Sequence, residues 1–252
     1  MDVISYGATD VGKRRKSNED SYFLDDRLGL YVVADGMGGH AAGEVASSEA
    51  IDAITSLVYN ERKLIEEFKQ GEVDVDEGLR KMSRCIESSI QSAAYLVHGM
   101  AQIDEKKSGM GTTISALLIA GSYGLTGQVG DSRVYYTRSN QTVQLTEDHT
   151  LINWQLKEGL ITPEQAAVAK HRNVVTRAVG SRDYVQVDVQ SFPVHPGDQF
   201  MLCSDGLHEY VKPNEIAAIL MHDPERAARH LVELAVNRGG KDNATAIVVS
   251  IL

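Results

Sequence analysis

Residues 112–137 hold three apolar runs separated by turns too short for a crossover helix. The first run, Thr112-Thr-Ile-Ser-Ala-Leu-Leu-Ile-Ala120, is nearly continuous in apolar side chains. That is the pattern of a strand covered on both faces. Gly121-Ser122 turns it into a second run, 123–129, and Gly130-Asp131-Ser132 turns that into a third, 134–137. Parallel neighbours need a connection of a dozen or more residues, so these runs pair antiparallel as a meander.

Short strands are also expected at 3–9, 21–24, 30–34, 199–203 and 244–251. Ala46, Ala50, Ile54 and Leu57, with Ala53 and Val58 beside them, mark an amphipathic helix, and Met82, Ile86, Ile90, Ala93, Ala94 and Val97 mark another. Between 60 and 77 charges crowd in, which reads as a connector containing a broken helical piece. Residues 151–171 form a polar, helical surface excursion, with Pro163 opening a short helix after Thr162. Pro213 and Asp223-Pro224 open two later helices. The sum is an α+β chain in one domain, 1–252, with two mostly antiparallel sheets and helix pairs outside.

Composition narrows the function. The net charge is 25 − 35 = −10, which argues against nucleic acid, whose phosphates need Lys and Arg. No apolar run approaches the roughly 20 residues of a membrane span. The start, Met1-Asp2-Val3-Ile4, lacks a secretion signal, and only Cys85 and Cys203 are present. The expectation is a cytoplasmic protein without a disulfide framework.

The chemistry sits where strands end. An apolar strand runs into Asp35-Gly36, another into Asp205-Gly206, and a third into Gly130-Asp131. An Asp-Gly pair alone is usually a tight turn. Repetition changes that, because Asn18-Glu19-Asp20 and Lys241-Asp242-Asn243 also stand at strand starts. Five acidic clusters gathered together would repel and raise one another's pKa unless divalent cations joined them, and Mg²⁺ or Mn²⁺ takes such oxygen ligands. Arg15, in the basic run Lys13-Arg14-Arg15-Lys16, is a solvated patch or a guanidinium able to grip phosphate. His40 closes the glycine-rich turn after Asp35, a setting suited to protonating a leaving group. The other seven histidines, His149 and His171 among them, have no comparable setting. Serine-hydrolase elbows, zinc helices and Walker loops are missing.

The ordered set Arg15-x-x-Asn-Glu19-Asp20, Asp35-Gly36-Met-Gly-Gly-His40, Gly111-Thr112-Thr113, Gly130-Asp131-Ser132-Arg133, Ser204-Asp205-Gly206-Leu207 and Asp242-Asn243-Ala-Thr resembles the metal-dependent type 2C serine/threonine protein phosphatases, in their compact bacterial branch. Asp148-His149 through Arg177-Ala-Val-Gly180 resembles that branch's flap subdomain, at roughly 148–180. The resemblance implies a four-layer α-β-β-α sandwich with a metal site at one end. It implies that Asp35 bridges two Mn²⁺ or Mg²⁺ ions, with the Gly36 carbonyl completing one and Asp205 and Asp242 holding the other. Glu19 and Asp20 would act through metal-bound water, and Asp131 with Asp205 would form a third, weaker ion site. Arg15 would bind the substrate phosphate and His40 would protonate the departing Ser or Thr oxygen. A hydroxide between the two ions would attack phosphorus directly, without a phosphoenzyme. The implied partners are phosphorylated Ser/Thr proteins, a Ser/Thr kinase among them, and the implied state is a monomer. Where the family carries Asp four residues after Asp205, this chain has Glu209, one methylene longer, at the third ion's edge.

Two other readings compete. Gly36-x-Gly38-x-x-Ala41 satisfies a loose dinucleotide fingerprint, although no second parallel strand follows it. A catalytically silent scaffold of the same fold would also keep this pattern.

Overall fold

The structure is a computed structural model that describes residues 1–38, 42–169, 171 and 174–252. One sheet sets β1 (Val3–Asp10), β11 (Ala244–Ile251), β10 (Gln199–Cys203), β7 (Arg133–Arg138) and β8 (Gln141–Gln144) side by side. The other sets β2 (Asp20–Asp25), β3 (Leu30–Met37), β5 (Ile114–Ala120), β6 (Tyr123–Val129) and β9 (Asp188–Pro193), with the short β4 (Gly111–Thr112) on β3. All these pairings are antiparallel. The dinucleotide reading therefore fails, because β3 has no parallel neighbour.

The period of two along each strand sorts side chains into three cores. Tyr31 and Val33 of β3, Leu117 and Ile119 of β5, Phe200 and Leu202 of β10, and Ile247 and Val249 of β11 meet between the sheets. The alternate residues Leu30, Val32, Ile114, Ala116 and Leu118 face outward onto α1 (Ala42–Asn60) and α3 (Val75–Ile103). On the other side Met201, Cys203, Ala246 and Val248 face α7 (Pro213–Leu220) and α8 (Pro224–Arg238). This is the four-layer α-β-β-α sandwich. Strands read as near-continuous apolar runs because both faces are covered.

The differences from expectation have local causes. On α1 the buried row is Ala46, Ala50, Ile54 and Val58, whereas Leu57 is exposed. The connector's helical piece is α2 (Arg62–Lys69), which buries Ile65 and Phe68. The second amphipathic helix starts earlier than its apolar stripe, at an N-cap where Asp74 accepts from the Glu77 N–H. The run 112–120 is interrupted at Thr113, whose hydroxyl bonds to the Asp35 N–H and to Ser132. Strands β8 and β9 and the single turn α6 (Asp205–His208) were not expected. Both strands are half-exposed sheet edges; β8 carries no apolar signal, whereas Val185, Val187 and Val189 alternate with polar residues into β9, and Val189 and Phe192 pack on the cores.

Candidate active site

Antiparallel order puts the start of one strand beside the end of the next. The starts of β2, β5, β7 and β11 thus share one rim of the sandwich with the ends of β3, β6 and β10, and the five acidic motifs lie along that rim, with Asp131 between β6 and β7 and Thr113 just before β5. A cavity of about 300 Å³ opens at that rim, lined by Arg15, Glu19, Asp35, Gly36, Thr113, Asp131, Val175, Asp205 and Asp242. Asp20 sits directly opposite Asp35 in the β2–β3 register. Eight of the nine expected site residues are thereby gathered. The ninth, His40, lies outside the described residues.

Close backbone approach holds the rim together. A Cβ on Gly36 would come within 2.1 Å of the Gly43 carbonyl oxygen, and one on Gly206 within 2.0 Å of the Asn243 carbonyl oxygen. The glycine of each Asp-Gly pair therefore admits a neighbouring chain. Asp20 Oδ2 accepts from Ser204 Oγ at 2.7 Å and Thr245 Oγ1 at 2.6 Å, which ties one sheet to the other. Asn243 Oδ1 accepts the Glu19 N–H at 2.8 Å. The Thr113 hydroxyl, 2.7 Å from Ser132 Oγ and 3.0 Å from the Asp35 nitrogen, links the Asp35 and Asp131 tips. Gln128 brackets Asp131, its amide donating to the carbonyls of Gly130 (3.0 Å) and Ser132 (2.8 Å). His208 Nε2 lies 2.9 Å from the Asp131 carbonyl, and burial with nearby Arg133 pushes its imidazole down to about 4, so the neutral ring donates.

Charge at the rim is poorly compensated by the protein itself. Burial, followed by the other carboxylates, raises Asp35 well above the ordinary range. Burial first, with like charges adding, also pushes Asp20 and Asp131 up to about 7 and Asp205 to about 6. Asp20 Oδ1 and Asp205 Oδ1 are buried without a hydrogen-bond partner among the described residues. Arg15 does not relieve this group, because its fork is spent on Asp242 (2.8 Å) and on Glu19 (3.1 Å). Orphaned carboxylate oxygens in a polar cavity are what a hard divalent cation would satisfy, and the all-oxygen donor set suits Mg²⁺ or Mn²⁺ over softer metals. Among the described residues no three Asp, Glu, His or Cys side chains converge as a ready-made protein cage. Ions such as Mg²⁺ keep several waters and use only one or two carboxylates, so the open arrangement fits them.

A second cavity, about 600 Å³, shares Asp131 and Asp205 with the first and is also lined by Arg133, Asp148, Leu156, His208 and Glu209. Glu209 is close enough for its charge to raise Asp205. The stretch expected as the flap, which carries α4 (Leu151–Lys157) and α5 (Pro163–Ala167), walls this cavity with Ile152, Asn153 and Leu156 of α4 and reaches the first through Val175. Its ends are tied down by a Thr112–Val179 bridge and by His149.

Thr113, Gln128, Ser204, Thr245, His208 and His149 were given no role by the sequence argument. Thr113, Ser204, Thr245 and His149 stood within the motifs without a role of their own, and Gln128 carried a signal as a polar residue in a strand otherwise built for burial.

Residues 12–248 match the family model for protein phosphatase 2C, and the chain belongs to that family. It is 33% identical over 252 residues to the serine/threonine protein phosphatase PstP of Mycobacterium tuberculosis, covering 99% of this chain and 45% of PstP. It is 34% identical to the protein phosphatase PhpP of Streptococcus pneumoniae, covering 96% of this chain and 95% of PhpP. The chain thus spans about half of PstP but nearly all of PhpP. The PstP crystal structure superimposes with a TM-score of 0.87 at 31% identity, covering 100% of this chain and 99% of that one. The PstP catalytic domain in complex with two manganese ions gives 0.83 at 32%, covering 99% and 98%.

Proposed function

We propose that the protein is a Mn²⁺- or Mg²⁺-dependent phosphatase of phosphoserine and phosphothreonine in proteins. The observation that carries this reading is the ring of buried and half-buried, partly orphaned carboxylates around one cavity. Asp35, the Gly36 carbonyl, Asp205 and Asp242 would hold two ions, with Glu19 and Asp20 acting through water and Asp131 with Asp205 offering a third position. Ions held there would supply Lewis-acid chemistry, making a bound water more acidic and drawing charge from phosphoryl oxygens.

The chain's own residues bind and orient. Arg15 exchanges one of its carboxylate partners for the substrate phosphate, which its planar fork matches with two parallel hydrogen bonds. Buried Asp20 keeps its Ser204 and Thr245 bonds and so holds the two sheet rims at fixed separation. Neither cysteine serves as a nucleophile, since burial pushes the Cys85 thiol up to about 11 and Cys203 to about 12. His40 donates the proton to the departing Ser or Thr oxygen. The substrates are products of a Ser/Thr kinase, which is itself among the partners. The chain acts in the cytoplasm as a monomer, one catalytic unit over 1–252 with a flap at about 148–180; among the described residues no helix is long and apolar enough to cross a membrane.

The test is p-nitrophenyl phosphate turnover with Mn²⁺ and with excess chelator. Turnover should vanish with chelator and fall at least ~10³-fold in Asp35→Asn, the scale of losing a transition-state charge stabiliser. Full turnover in chelator would end the reading. His40→Ala should slow phosphopeptide hydrolysis more than nitrophenyl phosphate, whose leaving group needs no proton.

A further inference from the structure

Asp148 and His149 grip the Asp131 turn from both sides. Arg133, just after the turn, donates from Nε and Nη2 to the Asp148 carboxylate at 2.6–3.1 Å. Gly130, just before it, is joined to His149 by two hydrogen bonds and holds a backbone turn of its own. Its N–H donates to His149 Nδ1 at 3.1 Å, its carbonyl accepts the His149 N–H at 2.9 Å, and its own φ of +102° is one that glycine tolerates. Because Nδ1 accepts, the ring proton sits on Nε2, which donates to Asp188 Oδ2 at 3.0 Å. Asp188 begins β9 and faces Gln128 of β6, the residue whose amide brackets Asp131. Arg177 holds the other Asp188 oxygen at 2.8 Å. The His149 carbonyl accepts both the N–H (2.8 Å) and the hydroxyl (3.0 Å) of Thr176, next to Val175 in the cavity wall. One residue on, Thr150 caps α4.

We infer that His149 is a positioning residue: its ring is a latch whose Nδ1 fixes the turn carrying Asp131 and whose Nε2 fixes the excursion over the cavity. Nothing in its chemistry touches substrate. Its effect passes through Gly130 to Asp131 on one side and through Asp188 and Thr176 to the cavity wall on the other. The inference rests on the phosphatase reading for the consequence at Asp131, but not for the latch itself.

The two ring nitrogens can be separated by substitution. In His149→Asn the amide oxygen stays near the Nδ1 position and can still accept from Gly130, whereas the reach to Asp188 is lost. In His149→Gln the amide nitrogen can still donate to Asp188, whereas the Gly130 acceptor is lost. The protein's sole tryptophan, Trp154, lies on α4 and is 52% exposed, so its fluorescence reports the excursion directly. The expected results for folded, ion-free protein are at least twofold greater acrylamide quenching in the Asn and Ala variants and near-wild-type quenching in Gln. With p-nitrophenyl phosphate, the Mn²⁺ concentration for half-maximal turnover should rise at least fivefold in Gln and Ala and less than twofold in Asn. Indistinguishable Asn and Gln variants, or a lower Tm with neither readout moved, would overturn the latch. Should wild type show no turnover with Mn²⁺, the phosphatase reading fails and quenching alone decides the latch.

Discussion

Strand β10 has an aspartate at each end, and the two are opposites. Asp198 precedes it and Asp205 follows it, seven residues on, about 23 Å away at the usual strand rise. Asp198 is 1% exposed, yet all its valences are used. It accepts from Arg138 Nε and Nη2 at 2.7 Å, from the His195 N–H at 2.8 Å and from the Tyr136 hydroxyl at 3.2 Å. Burial pushes its carboxyl up, but those donors outweigh burial and leave it below the usual range. Asp205 is half-buried, faces Asp242, Glu209 and Asp35, and keeps a buried oxygen, Oδ1, with no partner among the described residues. Burial alone therefore does not mark a functional carboxylate. What separates the two is whether the protein supplies the donors, and at the rim it leaves that place to a cation.

The sharpest way to break this contrast is to neutralise each end. Asp205→Asn should cut Mn²⁺-dependent turnover at least ~100-fold, the order lost with one charge stabiliser, with the ion-free Tm unchanged or higher. Asp198→Asn should leave turnover of folded enzyme within about twofold and lower Tm by about 2–8 °C, since a charged hydrogen bond is worth about 1–3 kcal/mol. Equal loss of activity in both would remove the distinction. Next in size, Arg15→Ala should raise KM for a phosphopeptide by about tenfold or more, with a smaller change in kcat, because a bidentate phosphate contact is lost. A proportional fall in kcat alone would assign Arg15 elsewhere.

Stability against pH gives a smaller effect with a definite sign. Asp20 and Asp131 near 7 and Asp205 near 6 lie above the unfolded value of about 3.9. The stability they contribute is full below the unfolded value and is lost as pH rises through 6–7. Ion-free protein should therefore melt several degrees higher at pH 5 than at pH 8, and Mn²⁺ should raise Tm more at pH 8, where it displaces fewer protons. The same scan on Asp205→Asn should narrow the gap. The smallest change is expected from Glu209→Asp, which shortens a side chain at the edge of the second cavity: kcat within about threefold, and a shifted Mn²⁺ midpoint, the size of an indirect change near a metal. An effect as large as that of Asp205→Asn would place Glu209 at the core.

Much of the rim was legible in the chain because its signals are local. A run such as Leu30 to Ala34 ending in Asp35-Gly36 states both burial and the point where it stops. The latch and the sheet tie were not legible. His149 lies in a polar stretch 19 residues from Gly130, and Asp20 lies 184 residues from Ser204. Their hydrogen bonds leave no periodic trace.

Alternation of apolar and turn residues, with the repeated Asp-Gly ends, determined the antiparallel sheets, their two-sided burial and the identity of the acidic group. Only tertiary structure decided which carboxylates are left with orphaned oxygens and which, like Asp198, are answered by donors. That outcome depends on partners distant in the chain meeting at distances near 3 Å, and hydrogen-bond geometry of that precision is set by packing rather than by composition or spacing.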